Sequence, residues 1–324
     1  MSCSLTVIVT FYDERKSQIR SLTERLSQFD PSQTEIVIVL DNPNECPTAF
    51  QKVVSKGLSE FVLLINEENI GVAASRNRAL FAAKGRWVAF VDGDDDIDAG
   101  TVNLNANWGL KESDVIIYDY SIVREGCAPY PVDLNKESWC GQGLISPRAI
   151  VNDFFHHCSG RSFFPFVWGK LYRREFLLKN SIFFDERLNI YEDIDFLLRL
   201  LRTAPRIRYD AGHRFYTKRE PFPDTVSARR IIAGGHIFTK VLAEGSSDWQ
   251  PPISEKTVNS ACGLFFLKRV KNLIDQGEVL SGEQIERFVV QGIGEPSIKN
   301  GICLNTISSP ILREKIAKFL NGNA

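Results

Sequence analysis

Four acidic side chains follow directly on an apolar run in the first third of the chain. The run covers residues 87–91, and the acids are Asp92, Asp94, Asp95 and Asp96. Carboxylates this close together repel one another and raise each other's pKa unless a cation neutralises them. A hard divalent cation prefers oxygen ligands of this kind. The spacing therefore predicts a metal site, and an acidic turn that begins the next helix is the alternative.

The elements that must position these acids alternate between strand and helix patterns. Strands are predicted at 5–10, 35–40, 61–65, 87–91 and 115–118, with helices at 14–29 and 71–83. Strands interleaved with helices indicate an α/β fold, with a mostly parallel sheet flanked by helices. Open sheets of this kind bind ligands beyond the carboxyl ends of their strands, which is where the acids lie.

The remainder of the chain departs from this alternation. Residues 121–225 are less regular and richer in aromatic residues, with one helix predicted at 191–202 and short strands at 206–209 and 214–217. Further helices are predicted at 231–243, 255–274, 282–290 and 311–320, and residues 244–252 read as a linker. We therefore expect one α/β domain over 1–225 and a C-terminal helical region over 226–324.

Composition excludes several classes of protein. The formal net charge is −1, with 44% hydrophobic and 24% charged residues, which is typical of a soluble globular protein and gives no electrostatic reason to expect nucleic-acid binding. The seven cysteines are scattered and never form Cys-x-x-Cys, which argues against a zinc ribbon or a disulfide framework. The sequence shows neither a signal-peptide pattern nor an uncharged run near the ~20 residues of a membrane span. The prediction is a cytoplasmic protein.

The ends of the first two predicted strands carry side chains that could bind a nucleotide. No glycine-rich loop follows Thr10, which excludes a P-loop and a dinucleotide fingerprint. Tyr12 could stack on a base, or it could pack on the next helix. Asp41 could accept hydrogen bonds from a base or a ribose, or it could nucleate a turn into Pro43.

Two further groups could act on a phosphorylated substrate. Arg76 lies early in a predicted helix with small residues, where it could reach a phosphate or form a surface salt bridge. Glu192 and Asp193 begin another predicted helix. They could supply a general base, or they could be the acidic first turn that the helix dipole favours.

Taken in order, these patterns resemble family 2 of the inverting glycosyltransferases, which have the GT-A fold. The matching segments are Thr10-Phe11-Tyr12-Asp13, Leu40-Asp41-Asn42-Pro43, 69–77, Asp92-Gly93-Asp94, 168–174 and Tyr191-Glu192-Asp193. They cover residues 4–225, and the segment at 168–174 is common in capsule and cell-surface members. One position departs from the family pattern, because Leu40 stands where the family usually has the first of two adjacent acids.

The resemblance implies a role for each matched residue. The donor-binding residues would be Thr10, Tyr12, Asp41, Arg76, Asp92, Gly93 and Lys170. Asp94 and Asp92 would ligate Mn²⁺ or Mg²⁺. Asp193 would be the general base, and Glu192 would orient the base or the acceptor.

The acceptor side and the partners follow from the same resemblance. Trp168 could stack on a sugar ring or pack in the core, and Arg173, His213 and Arg219 are further candidates for phosphate contacts. The expected partners are a nucleotide-sugar donor, with UDP first by family frequency, and a glycan or lipid-linked acceptor. The basic helix at 311–320 could touch anionic lipid at the inner face of the cytoplasmic membrane, pack on its own domain, or form a homo-oligomer surface.

The function that fits these features is an inverting, metal-dependent glycosyltransferase that extends a bacterial surface glycan. A sugar nucleotidyltransferase is one alternative, but it should have a glycine-rich loop with a basic residue at 10–14. A non-catalytic glycan or nucleotide binder on the same fold is another, and the acids at Asp92, Asp94 and Asp193 argue against it.

Overall fold

The computed structural model describes residues 4–42, 44–103, 113–124, 126–134, 144–151, 166–188, 190–219 and 254–275, with isolated positions between 299 and 321. The chain forms two compact units. The first lies within Met1–Ile150, Phe164–Arg187 and Glu192–Asp224, and the second within Val151–Phe163, Leu188–Tyr191 and Thr225–Ala324. The predicted division into domains at residue 225 stays a prediction.

The first unit contains a mixed sheet, with ten strands among the described residues. They are β1 Leu5–Phe11, β2 Thr34–Leu40, β3 Val62–Ile65, β4 Trp87–Asp92, β5 Asp96–Ile97, β6 Val115–Val123, β7 Tyr130–Val132, β8 Leu144–Ile145, β9 Lys170–Arg173 and β10 Ile207–Arg219. The order is β3-β2-β1-β4-β9-β6-β10-β5, with β7 on β6 and β8 on β10. The long pairings (β1 with β2 and β4, β2 with β3, β6 with β10) are parallel, so the predicted α/β, mostly parallel sheet is confirmed.

Helices connect these strands. Those of the first unit are α1 Lys16–Leu26, α2 Pro47–Val54, α3 Gly71–Ala82, α4 Ala99–Asn103, α5 Arg174–Lys179 and α6 Glu192–Arg202, and the second unit has α7 Glu255–Asp275. The helix predicted at 255–274 is thus confirmed, with Val258, Cys262, Phe266 and Val270 buried at every fourth position. Within the described segments, no helix combines the length and hydropathy that crossing a bilayer requires.

The core of the first unit fixes the start of α6 close to the end of β4. β1 and β4 are buried along almost their whole length, as the apolar runs predict. On β4, the ring of Phe90 meets Phe196 of α6 at 6.0 Å and Phe184 at 5.2 Å, and Phe184 stacks on Phe196 at 4.3 Å. Burying a phenylalanine side chain stabilises a fold by roughly 1.5–3 kcal/mol. This cluster therefore holds α6 firmly against the strand that ends in the acids.

The structure differs from the sequence-based prediction at β9 and β10, and the short strands β5, β7 and β8 were not predicted either. The strands predicted at 206–209 and 214–217 are one strand, β10, because residues between Asp210 and Arg214 form a bulge rather than a break. Buried Asp119 holds this bulge by accepting hydrogen bonds from Gly212 N (2.7 Å) and Tyr209 Oη (2.6 Å), and Gly212 takes a φ of +81°. Strand β9, which the sequence did not predict, lies antiparallel between β4 and β6.

Several predicted features lie outside the described residues. They are the turn residue Pro43, the helices at 231–243 and 282–290, the linker at 244–252 and most of the helix at 311–320.

Candidate active site

An acidic cluster lies at the carboxyl end of β4. Asp92 is the last residue of the strand and pairs with Thr10 of β1. Asp92, Asp94 and Asp95 each place one carboxylate oxygen within 4.8 Å of the others. Asp92 and Asp94 are half-buried, whereas Asp95 is fully buried. Three converging carboxylates are the donor set that a hard divalent cation requires, so these residues fit the metal that the sequence predicts.

Gly93 allows the cluster to form. A Cβ at this position would lie 2.5 Å from Cδ1 of Phe11 and 2.8 Å from the carbonyl oxygen of Thr10, both closer than side-chain packing permits. The backbone N–H of Gly93 donates to that same oxygen at 3.1 Å. Only glycine therefore lets the turn after β4 pack against the end of β1. Thr10 contributes its backbone carbonyl oxygen to this contact.

Arg76 joins the acidic cluster to the first turn of α6. Its Nη2 lies 2.8 Å from Oδ1 of Asp92, and its Nη1 lies 2.6 Å from Oδ1 of Asp193 and 3.1 Å from Oε1 of Glu192. The side chain is 5% exposed, so the alternative of a surface salt bridge is wrong. Burial opposes the charge, but Asp193, Asp92 and Glu192 outweigh it and hold the pKa of Arg76 above its usual value.

The acidic pair of α6 meets this guanidinium at the sheet edge. Burial raises the pKa of Glu192 to about 8; the charge of Asp193 adds to the rise and Arg76 opposes it. Oδ2 of Asp193 accepts a hydrogen bond from the backbone N–H of Val167 at 3.3 Å. Burial therefore favours the protonated form of Glu192 near neutral pH.

Asp41 positions the helix that carries Arg76. It is 4% exposed, and its carboxylate accepts hydrogen bonds from Asn66 Nδ2 (2.8 Å), Ile70 N (3.0 Å) and Gly71 N (2.9 Å). The last two N–H groups belong to the amino end of α3, so Asp41 caps that helix. The contact of Asp41 with a base or ribose stays a prediction.

Tyr12 lies at the mouth of a cleft beside the ends of β1 and β2. Its side chain is 52% exposed, and its carbonyl oxygen accepts a hydrogen bond from Asn42 Nδ2 at 2.7 Å. The cleft has a volume of about 440 Å³ and is also lined by Phe11, Glu14 and Phe50. An exposed ring beside an open cleft is suited to stacking on a flat base.

The structure corrects two predictions for the segment at 168–174. Trp168 is 3% exposed and lies between the rings of Phe166 and Tyr216, each 4.8 Å away and nearly parallel. Both faces of the indole are covered, so packing in the core is correct and stacking on a sugar is wrong. Lys170 is fully buried and donates to the carbonyl oxygen of Phe166 at 2.5 Å, rather than lying at the surface where a phosphate could reach it.

The Glycosyl transferase family 2 model matches residues 6–167, which is half of the chain. This chain belongs to that family. A relative from Haemophilus influenzae, an uncharacterized glycosyltransferase, is 39% identical over 247 residues and covers 70% of this chain and 74% of its own. The chain spans about three fifths of the length of the first curated relatives that it matches.

Solved structures confirm the GT-A fold of this family 2 chain. TarS 1–349 of Staphylococcus aureus, crystallised with UDP-GlcNAc, has a TM-score of 0.63 and 20% identity over 99% of this chain and 89% of that one. Mannosyltransferase PcManGT from Pyrobaculum calidifontis, in complex with GDP-Man and Mn²⁺, has a TM-score of 0.53 and 15% identity over 100% and 87%.

Two residues of β10 beside the acidic cluster have no role in the sequence-based prediction. The hydroxyl of Tyr216 and Nζ of Lys218, both on β10, donate to the carboxylate of Asp95, the latter at 2.9 Å. Nζ of Lys218 also lies 3.7 Å from Oδ2 of Asp92. Burial opposes the charge of Lys218, but Asp95 and Asp92 outweigh it and raise its pKa above the usual value. The sequence-based prediction named Arg219 of this segment as a candidate phosphate contact but gave no role to Tyr216 or Lys218.

Three neighbouring basic side chains on β9 and β10 have acidic partners of their own. Arg219 pairs with the carboxylate of Asp96, and its backbone N–H donates to Asp95 at 2.8 Å. His213 pairs with Asp210 at 3.0 Å in the bulge of the strand. Arg173, on β9, lies 3.7 Å from Asp114. The phosphate contacts predicted for these three side chains stay predictions.

Glu14 is a further acid near the cluster that the sequence did not single out. Its Oε2 accepts the backbone N–H of Tyr12 at 2.7 Å, and its Oε1 faces Gly93. Burial raises the pKa of Glu14 to about 7; the backbone N–H of Tyr12 opposes the rise, and the charge of Asp94 adds to it. Glu14 therefore joins the loop after β1 to the turn that carries the metal-fitting acids.

Proposed function

We propose that this chain is an inverting, metal-dependent glycosyltransferase that moves a sugar from a nucleotide-diphosphate donor to a hydroxyl group of a growing surface glycan. One observation carries the proposal. The guanidinium of Arg76 lies 2.8 Å from Asp92 of the acidic cluster and 2.6 Å from Asp193 of α6, residues more than 100 positions apart in the sequence. Groups suited to holding a diphosphate and to accepting a proton thereby share one edge of the sheet.

The donor would bind across the carboxyl ends of β1 and β4. Asp92, Asp94 and Asp95 would hold Mn²⁺ or Mg²⁺, which when bound supplies a Lewis acid for the departing diphosphate. Tyr12 would stack on the base beside its cleft, and Asp41 would hold α3 in place for Arg76. UDP is the first candidate nucleotide, because TarS, which shares the fold, was crystallised with UDP-GlcNAc.

The acceptor would approach from the side of α6. A sugar hydroxyl is a poor nucleophile and needs a base aligned opposite the leaving group. Asp193 would take this proton as the acceptor oxygen bonds to the anomeric carbon and the bond from that carbon to the diphosphate oxygen breaks. Glu192, which holds its own proton near neutral pH, would orient Asp193 and the acceptor. Attack from the opposite face inverts the anomeric centre.

The wider setting follows from the same proposal. The catalytic domain would extend over 1–225, with a helical region over 226–324. The acceptor would be a glycan or lipid-linked glycan, reached in the cytoplasm at the inner face of the membrane, where the basic helix at 311–320 could contact lipid. A homo-oligomer is compatible with this arrangement.

A UDP-release assay tests the proposal. The full chain is incubated with UDP-glucose, UDP-galactose or UDP-GlcNAc, in Mn²⁺ or in chelator, and transfer of the sugar to water reports on the donor site without an added acceptor. We expect release with one donor, in Mn²⁺ only, and loss of release in Asp94→Asn. Release that persists in chelator and in this variant would refute the metal role.

A further inference from the structure

We propose that Lys218 is a built-in counter-cation of the acidic cluster, which keeps the affinity for the divalent metal low until a nucleotide diphosphate arrives. This inference rests on the proposed function, because it requires that Asp92, Asp94 and Asp95 hold the metal. It assigns Lys218 to positioning and ordering the two ligands rather than to the chemical step.

The ammonium group of Lys218 lies where it must compete with a metal ion. Nζ is 2.9 Å from Oδ2 of Asp95 and 3.7 Å from Oδ2 of Asp92, two of the three carboxylates that converge. The side chain is 26% exposed, so it borders solvent, whereas the carboxylate of Asp95 is fully buried. A divalent ion that binds these oxygens therefore comes within a few ångströms of the ammonium charge.

Two cations beside the acidic cluster, Arg76 and Lys218, differ in how many carboxylates each contacts. Among the described residues, Arg76 forms ion pairs with Asp92, Glu192 and Asp193, and Lys218 forms ion pairs with Asp92 and Asp95. Arg76 is shared by three carboxylates and is 5% exposed, so it is fixed. Lys218 is bound to the metal-fitting carboxylates alone, on a flexible four-carbon stem. It is the cation that can change partners.

A diphosphate provides such a partner. When the nucleotide binds beside the metal, its phosphate oxygens offer the ammonium group a new ion pair, and the carboxylates are left to the metal. Without the nucleotide, the ammonium and the metal repel each other across the same oxygens. The metal and the nucleotide should therefore each raise the affinity of the other, and by the same factor.

If the role of Lys218 were purely structural, its loss would affect stability and metal affinity differently. Buried Asp95 also accepts hydrogen bonds from Tyr216 and from the backbone N–H of Arg219. If Lys218 only neutralised Asp95, its loss would lower the stability of the protein and leave the affinity for metal unchanged or weaker.

Calorimetric titration of Mn²⁺ into the full chain, with and without UDP, separates these roles. In Lys218→Met we expect Mn²⁺ alone to bind about tenfold more tightly. This factor in affinity corresponds to the repulsion energy between an ammonium group and a divalent ion about 6 Å apart in water-like surroundings. The enhancement by UDP should shrink by the same factor. Lys218→Arg keeps the charge and should behave like the unchanged protein. Lys84→Met should do the same, because Lys84 precedes β4, at the end of the strand opposite the acids, and its side chain is 78% exposed.

Thermal unfolding checks that each variant is folded, and Lys218→Gln, which can still donate to Asp95, replaces Lys218→Met if the latter is not. Equal or weaker affinity of the folded variant for Mn²⁺ alone would overturn the inference. Failure of the unchanged protein to bind Mn²⁺ even with UDP would overturn the metal site of the proposed function, and this inference with it. The two failures are therefore distinguishable.

Discussion

Replacing Arg76 with methionine should destabilise the first unit strongly. The guanidinium makes contacts of 2.6, 2.8 and 3.1 Å with Asp193, Asp92 and Glu192, and its side chain is 5% exposed. Methionine fills part of the volume but leaves three neighbouring carboxylates without the cation that they share. Removing one partner of a buried ion pair costs about 3–5 kcal/mol, because the remaining charges stay buried.

Arg187→Met is the matched control for this replacement. Arg187 also lies close to a carboxylate, at 2.5 Å from Asp185, but its side chain is 78% exposed. Pairs in water contribute only about 0–1 kcal/mol, since solvent screens the charges. The two variants lose the same charge and gain the same side chain, so the difference between them measures what burial and the two additional carboxylates contribute.

Urea unfolding followed by tryptophan fluorescence provides the assay, because Trp87 and Trp168 are buried in the first unit. In chelator at about pH 8, Arg76→Met should lose about 3–5 kcal/mol of unfolding free energy and Arg187→Met less than about 1 kcal/mol. A loss below about 1 kcal/mol for Arg76→Met would refute the view that this guanidinium is what holds the three carboxylates together.

The pH dependence gives a second check on the same variant. Burial raises the pKa of Asp92, but Arg76 and Lys218 outweigh burial and hold it below the usual value. In the unchanged protein Asp92 therefore contributes stability above its unfolded pKa, and this is lost as the pH falls through the folded pKa. Without Arg76 the folded carboxylates should instead take up protons more readily than the unfolded chain. The deficit of Arg76→Met should shrink as the pH is lowered towards about 5, and a deficit that grows would contradict this reasoning.

Other substitutions test separate parts of the site. Asp94→Asn should weaken Mn²⁺-dependent UDP binding, whereas Asp193→Asn should leave that binding intact and abolish sugar transfer. Calorimetry measures the binding and product analysis measures the transfer. Equal loss of UDP binding in both variants would rule out this assignment of roles. Gly93→Ala should cost roughly 1–3 kcal/mol in urea unfolding, because the new methyl group meets the end of β1. Trp168→Ala should cost roughly 3–5 kcal/mol in the same assay, since the ring is packed on both faces, and a near-neutral result would restore a surface role for it.

Local patterns predicted the parts of the site that lie at strand ends. The change from an apolar run to acids at Asp92 placed the end of β4 within one residue, because a strand buried on both faces cannot continue through charged side chains. The small residues at 71–83 predicted the helix that carries Arg76, and the helix predicted at 191–202 is α6. Resemblance to family 2 then supplied the expectation that these separate segments act together.

Tertiary contacts decided what the sequence could not. Lys218 lies 123 residues from Asp95, and its place depends on the register of β10 against β6 and on the bulge held by Asp119. Trp168 looked like a sugar platform because its partners, Phe166 and Tyr216, cover it only after folding. The role of Asp41 in capping α3 was also hidden, because its three protein donors come from residues at least 25 positions away.

The acids at the end of β4 are proposed to hold a metal that binds a nucleotide diphosphate. Calorimetric titration of UDP, GDP, CDP and dTDP into the full chain, each in Mn²⁺ and in chelator, measures this binding. We expect one nucleotide, UDP first, to bind in Mn²⁺, and chelator to abolish the binding. Binding that is equally strong in chelator, or no binding of any of the four in Mn²⁺, would contradict it.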